Sequence, residues 1–165
     1  MKQIKTLLIA AIALISVQTI NAQTKIAHVE TNEIMSKMPA VLDGQNQLKK
    51  LGETYDKDYK TLVEEYQAKV KKYDAEAASQ TDAVNQTRQV EVQDMIKRIN
   101  EFEKTAQADL QKREVEIMKP ITEKVRASIE KVGKAKGFQY VLNAESLLLK
   151  DGTDITPDVK KDLGF

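Results

Sequence analysis

Residues 53–119 read ETYDKDYKTLVEEYQAKVKKYDAEAASQTDAVNQTRQVEVQDMIKRINEFEKTAQADLQKREVEIMK, a run of 67 positions without a glycine or a proline. Lys, Glu, Gln, Ala, Leu and Val-type residues dominate it, and nothing in it is a strong helix breaker. The polar patch Ser79-Gln80-Thr81-Asp82 is its one interruption. Leu48, Leu51, Tyr55, Tyr59, Leu62, Tyr66, Val70 and Tyr73 recur every three or four residues before the patch. Val92, Met95, Ile99, Phe102, Ala106, Leu110, Ile117, Ile121 and Val125 recur after it, with one seven-residue gap. Both are narrow stripes near period 3.5, as a coiled-coil seam requires.

The stripes are mirror images. The residue numbers of Leu51 and Leu110, Tyr55 and Ala106, Tyr59 and Phe102, and Leu62 and Ile99 each add to 161, and those of Tyr66 and Ile96 and of Val70 and Val92 add to 162. A straight rod has no need of that symmetry, whereas a chain folding back near residue 81 does. The pattern predicts an antiparallel helical hairpin with its tip at Ser79–Asp82. About 30 residues per limb, at roughly 1.5 Å each, give an arm on the order of 45 Å long. The charged faces opposite the seam (Lys49, Lys50, Glu64, Glu65, Lys71, Lys72, Lys97, Arg98) have solvation as their ordinary meaning.

Outward from the arm the sequence changes character. Pro39 suits the first turn of the outgoing helix, after a small helical piece at Ile34–Lys37. Pro120 interrupts the returning pattern and predicts a kink or restart. Gly133 and Gly137 are stop signals. Lys25–Glu30, Phe138–Asn143 and Leu147–Lys150 read as short strands, with a turn at Asp151-Gly152. Thr156-Pro157-Asp158 has the form of a helix start, with Thr156 as cap, and the helix runs to about Leu163. Three short strands are marginal alone, and their edges need cover, which self-association would supply. The fold class is therefore α+β.

Met1–Ala22 reads as a cleaved secretory leader: Lys2 and Lys5, then the apolar run Leu7–Val17, then small Ala22 at the cut. Removing Lys2 and Lys5 from the 26 basic residues leaves 24 against 25 acidic in the mature chain, Gln23–Phe165. Near-neutrality gives no reason to expect nucleic acid as a partner. Cysteine is absent and His28 is the only histidine, which excludes disulfides, thiol nucleophiles and multi-His metal sites. Neither a Gly-x-Ser-x-Gly elbow nor a phosphate-binding glycine loop is present, so no cofactor and no enzyme activity are expected. His28 reads as a packed strand residue.

The residues Lys25–Val29, Tyr140–Ala144 and Asp154–Val159, in this order around a helical hairpin and behind a leader, resemble the Skp (OmpH) family of periplasmic chaperones. The resemblance covers essentially the whole mature chain. It implies a homotrimer whose small β-barrel body is built from residues 23–44 and 119–165, with Ile26, Val29, Tyr140, Leu142 and Leu148 on the body strands. Three arms, about 45–118, would enclose a cavity that holds unfolded outer-membrane β-barrel proteins without ATP. Tyr66, Val70, Tyr73, Val84 and Met95 are the candidate client contacts. Known members are strongly basic and this chain is not, so no lipopolysaccharide site is carried over, and contact with outer-membrane lipids is peripheral at most. A coiled-coil envelope spacer or adaptor is the alternative reading.

Overall fold

The structure is a computed structural model that describes residues 24–165. The leader expected over Met1–Ala22 lies outside the described residues.

The chain runs β1 (Ile26–Val29), α1 (Thr31–Lys37), α2 (Pro39–Glu76), a 3-10 turn (Ala77–Ser79), α3 (Asp82–Ala135), β2 (Tyr140–Asn143), a second 3-10 turn (Ala144–Ser146), β3 (Thr153–Asp154) and α4 (Thr156–Leu163). Helices α2 and α3 form the antiparallel arm. Pro39 opens α2, where its missing N–H costs nothing. At the tip, Thr81 caps α3 by accepting from the Val84 N–H at 3.4 Å, and the Asn85 amide donates to the Ala77 carbonyl at 3.0 Å. The reversal therefore falls inside the patch that the mirror symmetry marks.

The register also follows the symmetry, to within about one turn. Gly44 lies against Ile117, a pair adding to 161. Phe102, expected opposite Tyr59, instead meets Tyr55 edge-on, with ring centroids 5.9 Å apart. A ring spans more than one layer of a seam, so symmetry alone does not choose between neighbouring turns.

Pro120 neither ends nor restarts α3, which continues unbroken through it. Pro120 and Glu116 are exposed, so the carbonyl that loses its helical partner faces water. Ile117 and Ile121 on either side are packed into the body core. Gly133 lies inside the helix and Gly137, at φ +76°, ends it. The Gly137 and Phe138 N–H groups donate to the Lys134 and Gly133 carbonyls, both at 3.0 Å, a Schellman closure. Gly164, at φ +93°, closes α4 in the same way.

At the root, β1 is the centre of an all-parallel sheet in the order β2-β1-β3. Ile26 to Val29 pair with Tyr140 to Asn143, and Ala27 and His28 with Thr153 and Asp154. Strand alternation turns Ala27, Val29 and Val141 toward the helices, and Ile26, His28, Tyr140 and Leu142 outward. The inner set joins Ile34, Met38, Val41, Ile121, Val125, Val132, Ile155 and Val159 in one core. The arm has no comparable core: beyond the root, only Met95 and Ala106 are buried hydrophobics among the described residues.

Two strand-level expectations are corrected here. Leu147–Lys150 is not a strand in the single chain; the third strand is Thr153–Asp154, because β1 offers its second edge there. Thr156 does not cap α4. Its hydroxyl donates to the Asp154 carboxylate at 2.5 Å and accepts from the Glu30 N–H at 2.9 Å, tying the helix start to the end of β1.

A charged cluster staples α1 to α4. The Glu33 carboxylate accepts from Lys160 at 2.5 Å and Lys37 at 2.9 Å, and these bonds lower its pKa from 4.5 to about 2. Because the folded value is depressed, this contribution is complete above about pH 4.5 and is lost as pH falls toward about 2. Glu33→Gln should flatten that part of the acid-unfolding profile. A profile identical to wild type between those pH values would assign the acid sensitivity elsewhere.

Candidate functional site

Two surfaces could carry function: the arm and the open faces of the root. The seam of the arm is thin because its two-helix stripe has nothing else to pack against. Met95, one of the expected client contacts, is buried in that seam at 6% exposure and is removed from any accessible lining. Tyr66, Val70 and Tyr73 are half-buried along the seam, and Val84 is exposed near the tip. Leu42, Tyr59, Val90, Ile96 and Val115 are further exposed apolar side chains on the two arm helices. Val90 and Val115 are 25 residues apart, about seven helical turns, which puts them on one line of α3.

Near the tip the seam turns polar. Glu91 on α3 accepts from the Lys69 ammonium and from the Tyr73 hydroxyl, both on α2. Arg88 bonds Glu76 at 2.5 Å and lays its guanidinium 4.5 Å from the centroid of the Tyr73 ring. Arg88 Nη1 is buried without a hydrogen-bond partner, and the ring face offsets part of that loss. The Lys69 and Tyr73 bonds lower the Glu91 pKa, and the same bonds raise those of Lys69 and Tyr73. Lower down, the Tyr55 hydroxyl donates to Asp109 at 2.8 Å, which raises its pKa. Tyr55 and Tyr73 are thus tethered by their hydroxyls, with part of each side chain left at the surface. Sequence reasoning missed Lys69, Glu91 and Arg88, since charges on a helix face read as solvated. The mirror rule itself held the signal: Lys69 and Glu91 add to 160, within one residue of the seam pairs.

At the root, the outward sheet face exposes Ile26, Tyr140 (60%) and Leu142. Val29, on the same body strand as expected, turns to the helix side and is buried in the chain's core. Leu148 is fully exposed, at 108%, on an irregular segment. His28 is buried on the outward face, where Gly152 approaches it closely. Beside the sheet lies an apolar groove of about 580 Å³ lined by Met35, Val125, Ile129, Phe138 and Val141, with Arg126 and Lys134 on its rim. Gly133 helps keep it open; a Cβ there would come within 3.0 Å of Val141 Cγ2.

Among the described residues no three His, Asp or Glu side chains are grouped to hold a metal ion, and no helix is long and apolar enough to cross a membrane.

A family model described as outer membrane protein (OmpH-like) matches residues 25–163. Among solved structures, the chain is similar to one from Caulobacter crescentus CB15, described as an OmpH-like outer membrane chaperone. The TM-score is 0.78 and the identity 14%, over 86% of this chain and 85% of that chain. At that identity the likeness is one of fold. No curated protein matches the chain.

Proposed function

The chain belongs to the OmpH-like outer membrane protein family, and on that premise we propose that it is an ATP-independent holdase chaperone for unfolded outer-membrane proteins. In this reading the leader, residues 1–22, directs it to the periplasm and is removed. Three copies join through the body residues 23–44 and 119–165. Their arms, about 45–118, surround the client. Peripheral contact with outer-membrane lipids is compatible with this arrangement, and neither nucleic acid nor a cofactor has a role in it.

The observation that carries the reading is the arm: two long helices with almost no core of their own and isolated apolar side chains along their surface. A barrel protein without its membrane exposes alternating apolar strands that aggregate. Many weak contacts hold such a chain collectively while each one breaks quickly. A two-helix seam also yields to clients of different girth more readily than a globular core would. Val84, Val90 and Val115, with the exposed parts of Tyr66, Val70 and Tyr73, are suited to that role.

The deciding experiment dilutes a urea-unfolded outer-membrane barrel protein into buffer with and without the purified mature chain. Turbidity should be suppressed in proportion to the chain added. Aggregation at the uncatalysed rate, with tight binding to one folded partner instead, would favour the spacer reading. Tyr66→Ala with Tyr73→Ala should weaken suppression severalfold at unchanged helicity; full suppression by that variant would take both tyrosines out of the lining.

A further inference from the structure

We infer that the side of α3 turned away from α2 is the face on which each arm takes its client, and that it fits one extended strand of an unfolded outer-membrane protein. This deepens the proposed function and rests on it.

Opposite its seam, α3 carries a line through Ala83, Val90, Ala108 and Val115, all of them exposed. Ala83 and Val90 are seven residues apart, and so are Ala108 and Val115, so each pair spans two turns on one side of the helix. Val90 and Val115, at 54% and 63%, are the most exposed of the large apolar side chains on the arm. The corresponding line of α2, through Lys50, Glu53, Lys57, Glu64 and Lys71, holds nothing apolar larger than Ala68 and Ala75. The two limbs of the arm therefore have unlike backs.

Folding does not explain the valines. A β-branched side chain loses χ1 freedom in a helix, so Val forms helix less readily than Lys, Glu or Ala. A position that faces water gains nothing from burial in return. Both disadvantages are offset only when a partner covers the line.

Length and charge favour an unfolded strand as that partner. From Val90 to Val115 the line runs about 37 Å, at roughly 1.5 Å per residue, which is the reach of about 11 residues of extended chain. A membrane-spanning β-strand has about 9–11 residues. Between the two apolar pairs stand Asp94, Lys97, Glu101 and Lys104, alternating in sign and adding to zero, with Asp94 and Lys97 paired at 3.4 Å. A strand from a barrel protein alternates apolar with polar residues. Its apolar side chains can rest on the valines, and its polar ones, of either sign, find an opposite charge between them. A polyanion or an anionic membrane surface finds no excess of positive charge on that stretch.

Val90→Gln with Val115→Gln in the full mature chain separates the face from the fold. The amount of chain needed to halve the turbidity of a urea-diluted outer-membrane barrel protein should rise severalfold, while the variant's own urea midpoint stays at or above wild type. Val90→Ile with Val115→Ile should keep wild-type suppression, and so should Ala68→Gln with Ala75→Gln on α2. Because the chain has no cysteine, a polarity-sensitive thiol dye can be placed through Ala108→Cys or Ala68→Cys alone. Adding the unfolded client should shift the emission of the first dye to the blue and leave the second unchanged. Full suppression by the double glutamine variant of α3, or an equal shift of both dyes, would overturn the choice of face and leave the holdase reading standing. A dye on α3 that responds to a folded partner and not to the unfolded client would assign the face to the spacer role instead. A wild-type chain that suppresses nothing would remove the holdase reading, and this inference with it.

Discussion

Truncating Ile155 to alanine should cost about 2–5 kcal/mol of folding free energy, the range for removing a large aliphatic side chain from a packed core. Ile155 has no exposed surface, and its N–H donates to the His28 carbonyl at 3.0 Å. It joins β3 to α4 within the cluster that also holds Ile34 and Val159. The loss is large against a typical total of about 5–15 kcal/mol. The arm supplies no core to compensate. Val90→Ala, at an exposed arm position, should stay within about 0.5 kcal/mol of wild type. Urea unfolding followed by circular dichroism, at one fixed protein concentration, measures both. Equal midpoints for the two variants would mean that stability is not concentrated at the root.

The second large effect is a reversal of sign between two glycines of one helix. A Cβ at Gly44 would lie 2.5 Å from Ile117 Cγ2, where α2 and α3 approach at the base of the arm. Ile117 is β-branched, and its χ1 is nearly fixed in a helix, so that methyl has little room to retreat. Gly44→Leu should lose about 1–3 kcal/mol from overpacking, more than the gain of about 1 kcal/mol from replacing a helical glycine. Nothing lies within 4 Å of the corresponding position at Gly52. Gly52→Ala should therefore gain about 1 kcal/mol. Thermal melts of the two variants beside wild type decide the matter. Midpoints moving in the same direction would show that close approach of the helices at Gly44 does not control the arm.

The features legible in the sequence are those governed by local rules. The reversal near residue 81, Pro39 at the start of α2 and the stop at Gly137 each follow from periodicity, ring geometry or a left-handed backbone. What sequence left open depends on where distant segments meet. Leu147–Lys150 has strand composition, but a strand needs a neighbour, and β1 pairs instead with Thr153–Asp154. Thr156 precedes a proline as a cap would, yet β1 and Asp154 take its hydroxyl first. Met95 is a client-contact candidate in sequence and a buried seam residue in the structure, because periodicity alone does not separate a seam position from a lining one. The polar tip lay in plain view as charges, and became visible only once the two limbs were set in register.

The central strand of the sheet comes from residues 26–29, near the amino end of the described residues, and both of its neighbours come from residues 140–154 near the carboxyl end. A polypeptide that emerges amino end first can complete its prong while Ile26–Val29 still waits for strands not yet delivered. The two limbs are nearest neighbours in the nascent chain, whereas closing the base must join segments more than a hundred residues apart. Closure of the sheet is thereby postponed until almost the whole polypeptide is present, and a copy truncated before Tyr140 has a prong without a finished base.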